Sequence, residues 1–158
     1  MICKTGHTFI KQKIRETDAL LGGEMSGHIF FNDRWPGFDD GIYAGARMLE
    51  IIANSEEDQF VSVPDMLSTP EINIPAADEE KFQIVKTFIE NSKFNDAKIV
   101  SIDGIRVEFE TGWGLLRASN TSPCLVLRFE AETNDDLNKI KEIFYLGLKS
   151  IKPNINKF

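Results

Sequence analysis

The chain has 158 residues, of which 42% are hydrophobic and 27% charged, a composition typical of a soluble globular protein. No apolar run approaches the roughly 20 residues that a membrane span needs, and the amino terminus lacks a secretory pattern, so we expect a cytoplasmic protein without a membrane partner. The net charge is −7, and residues 54–158 carry −6 of it. This acidic segment argues against a nucleic-acid partner, because nucleic-acid binding requires a basic face.

The two cysteines, Cys3 and Cys124, lie far apart in the sequence. Neither belongs to a CxxC pair or to a cysteine–histidine spacing typical of zinc ligands. We therefore expect no disulfide and no metal ligands in this chain.

The first part of the chain is typical of the last part of an α/β domain. The apolar spacing predicts a helix over 8–19. A glycine-rich loop over 20–28 then leads into the short apolar run 29–31. The predicted apolar side of the helix consists of Phe9, Ile10 and Ile14.

A second helix is predicted over 41–53, with Asp39 or Asp40 as its cap. Polar and acidic residues then predict a linker over 54–69 with one short helical turn. We therefore assign residues 1–53 to the first domain and 70–158 to the second. The apolar positions that recur at helical spacing in the second helix are Ile42, Ala46, Leu49 and Ile52.

The second domain begins with a short strand over 71–75, followed by a helix over 79–92 that Asp78 is expected to cap. A closing helix begins at Thr133, where Asp136 three residues on predicts a variant of the capping box. The buried stripe of the first helix is predicted to be Phe82, Val85, Phe88 and Ile89, and that of the closing helix Leu137, Ile140, Phe144 and Leu148.

Three or four strands are predicted between these two helices. Asp103-Gly104 is a favoured hairpin dipeptide, and the residues after it alternate between apolar and polar. The strand segments are 98–102, 105–109, 113–118 and 125–130. Together these elements predict an α+β fold: a four-stranded antiparallel sheet in the second domain, with two helices on one face, preceded by the end of an α/β domain.

Three short segments have compositions that do not serve packing: residues 4–7, 23–28 and 117–123. The third offers an arginine fork, hydroxyl groups, an amide and a tight turn whose backbone N–H groups could form an anion nest. Such a loop suits a phosphate group. The same residues are also common in ordinary polar turns between strands, and composition alone leaves both readings open.

The glycine-flanked segment 23–28 places a carboxylate, Glu24, two residues before a hydroxyl, Ser26. An extended backbone would point both side chains the same way, which suits adjacent sugar hydroxyls. The alternative is a solvent-facing turn in which Glu24 caps the neighbouring helix. His7 and His28 each follow a glycine in a polar loop, so each suits proton transfer or anion binding, although for any single histidine a surface position without a role is the more common case.

These segments together resemble one family. Their order and spacing are similar to those of the α-D-phosphohexomutases, in particular the bacterial phosphomannomutase/phosphoglucomutase branch. The resemblance runs from residue 4 to about residue 148. The residues that carry it are Lys4-Thr5-Gly6-His7, Gly23-Glu24-Met25-Ser26-Gly27-His28, Arg34-Trp35, Gly37-Phe38-Asp39-Asp40-Gly41-Ile42-Tyr43 and Arg117-Ala118-Ser119-Asn120-Thr121-Ser122-Pro123.

The resemblance implies a third-domain end at 1–53 and a fourth domain at 70–158 of an enzyme with four domains around a cleft. In that family, a phosphoserine on the first domain exchanges phosphoryl groups with a hexose phosphate through a bisphosphate intermediate. The implied ligands are glucose or mannose 1- or 6-phosphate and the 1,6-bisphosphate. The implied sugar-binding residues are Glu24, Ser26, His28, His7 and Gly6, with the histidines also as acid/base candidates, and the implied phosphate-binding residues are Arg117, Ser119, Asn120 and Thr121.

The chain departs from the family pattern in two respects. It has no Ser-His-Asn-Pro loop to carry the phosphoserine, and no Asp-x-Asp to bind the family's Mg²⁺. We therefore expect the isolated chain to be inactive as a mutase, with a separate chain as a possible source of domains one and two. Two other readings stay open, a free-standing hexose-phosphate binding module and an interaction protein that uses the surface of an incomplete third domain.

Overall fold

The computed structural model describes residues 1–55 and 65–158 and divides the chain into two compact units, Met1–Val63 and Pro64–Phe158. None of the helices in the described residues is long and apolar enough to cross a membrane. Both cysteines are free thiols. Residues 56–64, where the short helical turn of the predicted linker would fall, lie outside the described residues.

Within residues 1–55, which the structure describes, the first unit, called unit 1, contains two helices and one hairpin. Leu21 pairs with Phe31 and Gly23 with Ile29 in an antiparallel ladder. The core of unit 1 comprises Ile10, Ile14 and Phe30. A Cβ on Gly22 would lie 3.0 Å from side-chain atoms of Ile10 and Ile14, so glycine lets the first helix pack closely on the hairpin. The elements are α1 (His7–Thr17), β1 (Leu21–Gly23), β2 (Ile29–Phe31) and α2 (Gly41–Asn54).

Helix α2 begins where the sequence predicts and extends to Asn54. The Asp40 carboxylate caps it by accepting hydrogen bonds from the backbone N–H groups of Ile42 and Tyr43, both at 3.0 Å. The apolar residues predicted to form one side of α2 are not buried, since no residue of α2 is buried among the described residues. Ile42 is 90% exposed and Leu49 is 67% exposed.

The second unit, called unit 2, is an antiparallel sheet of six strands covered by two helices. The elements are β3 (Leu67–Ser68), β4 (Ile72–Pro75), α3 (Lys81–Asn91), β5 (Lys98–Val100), β6 (Ile105–Phe109), β7 (Gly112–Ala118), β8 (Cys124–Ala131) and α4 (Asn134–Ile151). Strand order is β3-β8-β7-β6-β5, and β4 also pairs with β8, beside β3. The sheet has more strands than the four predicted, and its edge strand β3 lies in the segment predicted to be linker, where it pairs with β8.

Helices α3 and α4 pack on the same face of the sheet, as predicted. A Cβ on Gly147 of α4 would lie 2.6 Å from the Phe88 ring of α3, and one on Gly114 of β7 would lie 2.6 Å from the Phe144 ring of α4. These glycines therefore set the close approach of the layers. The fully buried side chains in this core include Phe88, Ile105, Val107, Leu116, Leu125, Leu127, Phe129, Phe144 and Leu148. The predicted α+β class is confirmed.

The sequence predicts the cap of α4 correctly and the cap of α3 wrongly. The Thr133 hydroxyl accepts from the N–H of Asp136 and donates to its carboxylate, which confirms the predicted capping box. For α3 the prediction is wrong, because the helix begins at Lys81 and its cap residue, Glu80, makes no side-chain capping bond. Asp78 instead forms an ion pair with Lys81.

The buried stripe of α3 is also shifted relative to the prediction. Phe82 is exposed, whereas Lys81, Ile84, Val85 and Phe88 are buried. These four positions follow the i, i+3, i+4, i+7 spacing of one helix face, with a lysine in place of an apolar residue. The reason lies outside the helix: the Lys81 amine reaches the Ser122 carbonyl oxygen at 3.0 Å, in the loop between β7 and β8.

Candidate functional site

In unit 1, a backbone hydrogen bond joins two of the segments that the sequence singles out. The N–H of Gly6, immediately before α1, donates to Oε1 of Glu24 over 2.7 Å. Gly6 has φ of +122°, a conformation that L side chains rarely adopt, so glycine is required for this approach. Glu24 directly follows β1, and its own N–H donates to the His28 carbonyl at 2.9 Å. Segments 4–7 and 23–28 therefore form one site.

The loop after β1 is a tight turn and not the extended backbone assumed for Glu24 and Ser26. The N–H of Gly27 donates to the Glu24 carbonyl at 3.0 Å, and Gly27 has φ of +90°. Glu24 is partly buried against the start of α1, whereas Met25 and Ser26 are exposed. The prediction that Glu24 and Ser26 point the same way assumed an extended backbone, and that assumption is wrong. Both residues still lie in the same short turn.

Asp39 connects a third segment to this site. Its Oδ2 lies 2.8 Å from Nδ1 of His28 and 3.8 Å from Nε2 of His7, and its Oδ1 accepts from the N–H of Ile29. Of the two aspartates predicted as the cap of α2, Asp40 makes the cap, which confirms that prediction. The Asp39 carboxylate faces His28 instead. The hydrogen bond from His28 holds the pKa of Asp39 below its ordinary value. Asp39 therefore stays ionised and fixes the orientation of the His28 ring.

The two histidines of the chain lie beside each other. The ring centroids of His7 and His28 are 4.6 Å apart, and His7 also contacts the edge of the buried Phe30 ring. One possible ligand atom from each of His7, Glu24 and His28 lies within 4.8 Å of the others. The structure thus brings together four of the five residues proposed to bind sugar, with Ser26 exposed at the tip of the same turn.

A charged network surrounds the segment that begins at Arg34. Arg47 of α2 donates to Asp33 over 2.8 Å, and this bond lowers the pKa of Asp33 to about 2. Arg34 forms paired hydrogen bonds with Glu50 of α2. Trp35 stacks on Tyr43 with ring centroids 4.3 Å apart. These contacts attach α2 to the segment that precedes it.

In unit 2, the predicted phosphate loop connects β7 to β8 and is organised by Ser119. The Ser119 side chain is 6% exposed, and its Oγ accepts from the N–H groups of Thr121 at 3.3 Å and Ser122 at 3.0 Å. The Ser119 N–H donates to the Cys124 carbonyl. Two N–H groups of the predicted anion nest therefore point inward at Ser119 in this conformation, and not at a bound phosphate.

Other groups of the loop face outward. Asn120 and Thr121 are exposed, and Arg117 lies on the strand positions that alternate with the core residues Leu116 and Ala118. Its guanidinium is thus on the sheet face opposite the helices. Arg128 shares that face, because Leu125, Leu127 and Phe129 of its strand are in the core; its Nε is buried without a hydrogen-bond partner in the described residues.

Sequence reasoning missed two residues that support these sites, Asp39 and Lys81. Lys81 is 4% exposed, and its amine bonds to the Ser122 carbonyl, which fixes the exit of the loop. A signal for Lys81 existed in its helical spacing with Ile84, Val85 and Phe88. For Asp39 the sequence offered only two neighbouring aspartates, of which one had to cap α2.

Comparisons with known proteins find matches to both halves of the chain. Residues 1–67 match the family described as phosphoglucomutase/phosphomannomutase, alpha/beta/alpha domain III, and residues 71–146 match the phosphoglucomutase/phosphomannomutase C-terminal domain. A crystal structure of a phosphoglucomutase/phosphomannomutase family protein from Burkholderia thailandensis superposes with a TM-score of 0.88 at 46% identity. The match covers 99% of the present chain and 34% of the chain in that crystal structure.

Curated relatives show the same pattern. A phosphomannomutase/phosphoglucomutase of Pseudomonas syringae pv. tomato is 51% identical over 97% of this chain, and one of Pseudomonas aeruginosa PAO1 is 50% identical over 94%. A phosphoglucomutase of Neisseria meningitidis serogroup A is 49% identical over 96%. The chain spans about a third of the length of these relatives, 34%, 33% and 34% respectively. The resemblance in the sequence is confirmed, and the chain belongs to the phosphoglucomutase/phosphomannomutase family.

Proposed function

We propose that this chain supplies the sugar- and phosphate-recognising part of a phosphohexomutase that interconverts hexose 1-phosphate and hexose 6-phosphate. The relatives are phosphomannomutases and phosphoglucomutases by name, which supports hexose phosphates as ligands. The observation that carries the proposal is the assembly in unit 1 of Gly6, Glu24 and His28 by direct hydrogen bonds, with His7 alongside. The Glu24 carboxylate in the turn and the two partly exposed imidazoles beside it can accept and donate hydrogen bonds to neighbouring sugar hydroxyls.

In unit 2 the proposed role is to hold the phosphate that is not being transferred. Arg117 offers a planar fork of donors, and Asn120 and Thr121 add exposed side-chain donors. Ser119 has a different role in this proposal from the one first expected. Its hydroxyl organises the turn by accepting from Thr121 and Ser122, and it presents Asn120 and Thr121 to the ligand.

We further propose that the 158 residues alone do not complete the mutase reaction. They contain neither a Ser-His-Asn-Pro loop for phosphoryl transfer nor an Asp-x-Asp for Mg²⁺. The ionisable cluster of unit 1 does not fit Mg²⁺ either, because it offers two imidazoles and a single carboxylate, whereas Mg²⁺ prefers oxygen ligands. Turnover would require these missing loops to be supplied, for example by a separate chain.

An amide NMR titration of the metal-free chain with glucose 1-phosphate and glucose 1,6-bisphosphate tests the recognition role. We expect shifts at 117–121, and at Gly6, Glu24 and His28 if both loops bind. Unphosphorylated glucose and inorganic phosphate serve as controls for the two halves of the ligand. A well-dispersed spectrum without shifts at millimolar sugar phosphate would contradict recognition by the isolated chain, and mutase turnover by the pure chain would contradict its inactivity.

A second candidate function, an interaction module, is favoured by the exposed apolar side chains of α2. Ile42, Leu49 and Ile52 are at least half exposed. Apolar groups that recur on one helix without burial commonly mark an association surface. Concentration-dependent association without any response to sugar phosphates would favour this function.

A further inference from the structure

Two imidazoles and one carboxylate converge at the start of α1 and the turn after β1. Ligand atoms of His7, Glu24 and His28 all lie within 4.8 Å of one another, and these are the two histidines of the chain. We propose that these three side chains bind a Zn²⁺ ion. The sequence predicts no metal ligands, because its cysteine and histidine spacings match no zinc motif; the site arises only when the hairpin packs beside α1. The inference concerns side chains that the proposed function assigns to sugar binding. Zn²⁺ binding is measured without sugar or phosphate, so either proposal can fail without the other.

The donor set matches what Zn²⁺ uses in proteins. Histidine nitrogen and glutamate oxygen bind Zn²⁺ at about 2.0–2.2 Å, and three protein ligands plus water form an open tetrahedral site. Neighbouring ligand atoms around such an ion are about 3.4 Å apart, so the widest separation in this cluster, up to 4.8 Å, must close by roughly 1.4 Å. Side-chain rotation can supply this movement, because the side chains of His7 and His28 are 46% and 43% exposed.

Asp39 prepares His28 to act as a ligand. Its Oδ2 lies 2.8 Å from Nδ1 of His28, and an ionised carboxylate can only accept a hydrogen bond. The ring hydrogen therefore resides on Nδ1, which leaves the lone pair of Nε2 for the ion. Histidines that bind metal ions in proteins usually donate their other ring N–H to a carboxylate, a carbonyl or water in this way. Asp39 is thus a positioning residue and not a ligand.

Backbone hydrogen bonds hold the ligands in place within one compact unit. The Glu24 N–H bonds to the His28 carbonyl across the hairpin, and the Gly6 N–H bonds to Oε1 of Glu24, which leaves Oε2 available to the ion. His7 follows Gly6 as the first residue of α1. Two nitrogen ligands and one oxygen favour Zn²⁺, Co²⁺, Ni²⁺ or Cu²⁺ over Mg²⁺, which prefers oxygen.

Titration of the metal-free chain with Zn²⁺, in competition with a chromophoric chelator, tests the proposal. We expect one ion per chain, and no competition from millimolar Mg²⁺. His7→Gln and His28→Gln should each weaken Zn²⁺ binding at least about 10-fold, and Asp39→Asn about 10-fold through its effect on His28. Glu24→Gln should weaken it, whereas Glu16→Gln, at an exposed position of α1, should not.

Two further measurements distinguish Zn²⁺ binding at this site from Zn²⁺ binding by the cysteines. Cys3→Ser and Cys124→Ser should leave the affinity unchanged, and X-ray absorption of the Zn²⁺ form should show nitrogen and oxygen neighbours without sulfur. Circular dichroism of each variant establishes that it is folded; His7→Gln, at an exposed side chain, keeps the test valid if His28→Gln does not fold. Absence of stoichiometric binding, or equal affinity in the wild type and both folded histidine variants, would overturn the proposal.

Discussion

Gly6 donates its backbone N–H to Oε1 of Glu24 over 2.7 Å, and this single bond connects the start of α1 to the turn after β1. The geometry depends on a glycine with φ of +122°. It places His7 beside His28, so that two loops separated in sequence present one set of polar side chains. A carboxylate held in this way is already oriented before any ligand binds, which reduces the entropy that binding must cost.

The Gly6–Glu24 bond can be tested by Glu24→Ala. We expect the free energy of unfolding of unit 1 to fall by about 1 kcal/mol, because a partly buried N–H loses its charged acceptor. Urea denaturation followed by the fluorescence of Trp35, in a Trp113→Phe background so that unit 2 does not contribute, measures the change. Glu16→Ala is the matched control, since Glu16 makes only exposed contacts with Gln12 and Lys13 and should change stability by less than about 0.5 kcal/mol. Equal losses in the two variants would show that the bond contributes nothing specific.

Ser119→Ala should destabilise unit 2 by about 1–3 kcal/mol. Its buried hydroxyl accepts from two backbone N–H groups, and the substitution leaves both without that acceptor. Ser122→Ala is the control, because the Ser122 side chain is exposed while its carbonyl, which the substitution retains, accepts from Lys81. Thermal unfolding monitored by circular dichroism compares the two. A Ser119→Ala variant as stable as Ser122→Ala would show that the turn forms without this hydroxyl.

The sequence predicts those elements whose determinants are local. The capping box at Thr133 requires only Asp136 three residues on, and the Asp103-Gly104 turn only a residue that adopts φ of +74°, so both are confirmed. Lys81 is different. Its burial depends on the Ser122 carbonyl, 41 positions away, and a local pattern cannot show that a lysine belongs on the buried face.

The same distinction applies to the candidate site. The glycines and polar residues of segments 4–7 and 23–28 are visible in the sequence, and the structure brings them together. The bond between Asp39 and His28 depends on how the chain returns beside β2 after the hairpin, which no spacing rule describes. The sequence likewise does not show the relative direction of Glu24 and Ser26, because a turn at Gly27 replaces the extended backbone.

Acid should remove the stabilisation that Asp33 receives from Arg47. The pKa of Asp33 is lowered from 3.8 to about 2, chiefly by the hydrogen bond from Arg47. A depressed carboxyl pKa contributes stability that is present above the unfolded-state value and is lost as the pH falls through the folded-state value. The stability difference between the wild type and Asp33→Asn should therefore be constant above about pH 4 and shrink between pH 4 and 2. Urea denaturation at several pH values measures it, and a pH-independent difference would contradict this assignment.

Leu49→Lys should reduce self-association of the chain if α2 is an association surface. Leu49 is 67% exposed on a helix that has no buried residue among those described, so a charge there costs little in the fold. Sedimentation velocity over a range of concentrations measures the effect. Thr87→Lys, on the partly exposed side of α3 in unit 2, is the control and should leave association unchanged. Monomeric wild-type chain at all concentrations would exclude the surface as a self-association site.

Gly114→Ala should destabilise unit 2 by about 1–3 kcal/mol, because the added methyl group would lie 2.6 Å from the Phe144 ring and force the sheet and α4 apart. Gly45→Ala provides the opposite case. Nothing lies within 4 Å of a Cβ at Gly45, in the interior of α2, so alanine there should stabilise the helix by up to about 1 kcal/mol. Chemical denaturation of the two variants measures the expected loss of stability in one and the expected gain in the other. A Gly114→Ala variant as stable as the wild type would mean that Phe144 can move aside, and that the close contact between β7 and α4 is not what requires glycine at this position.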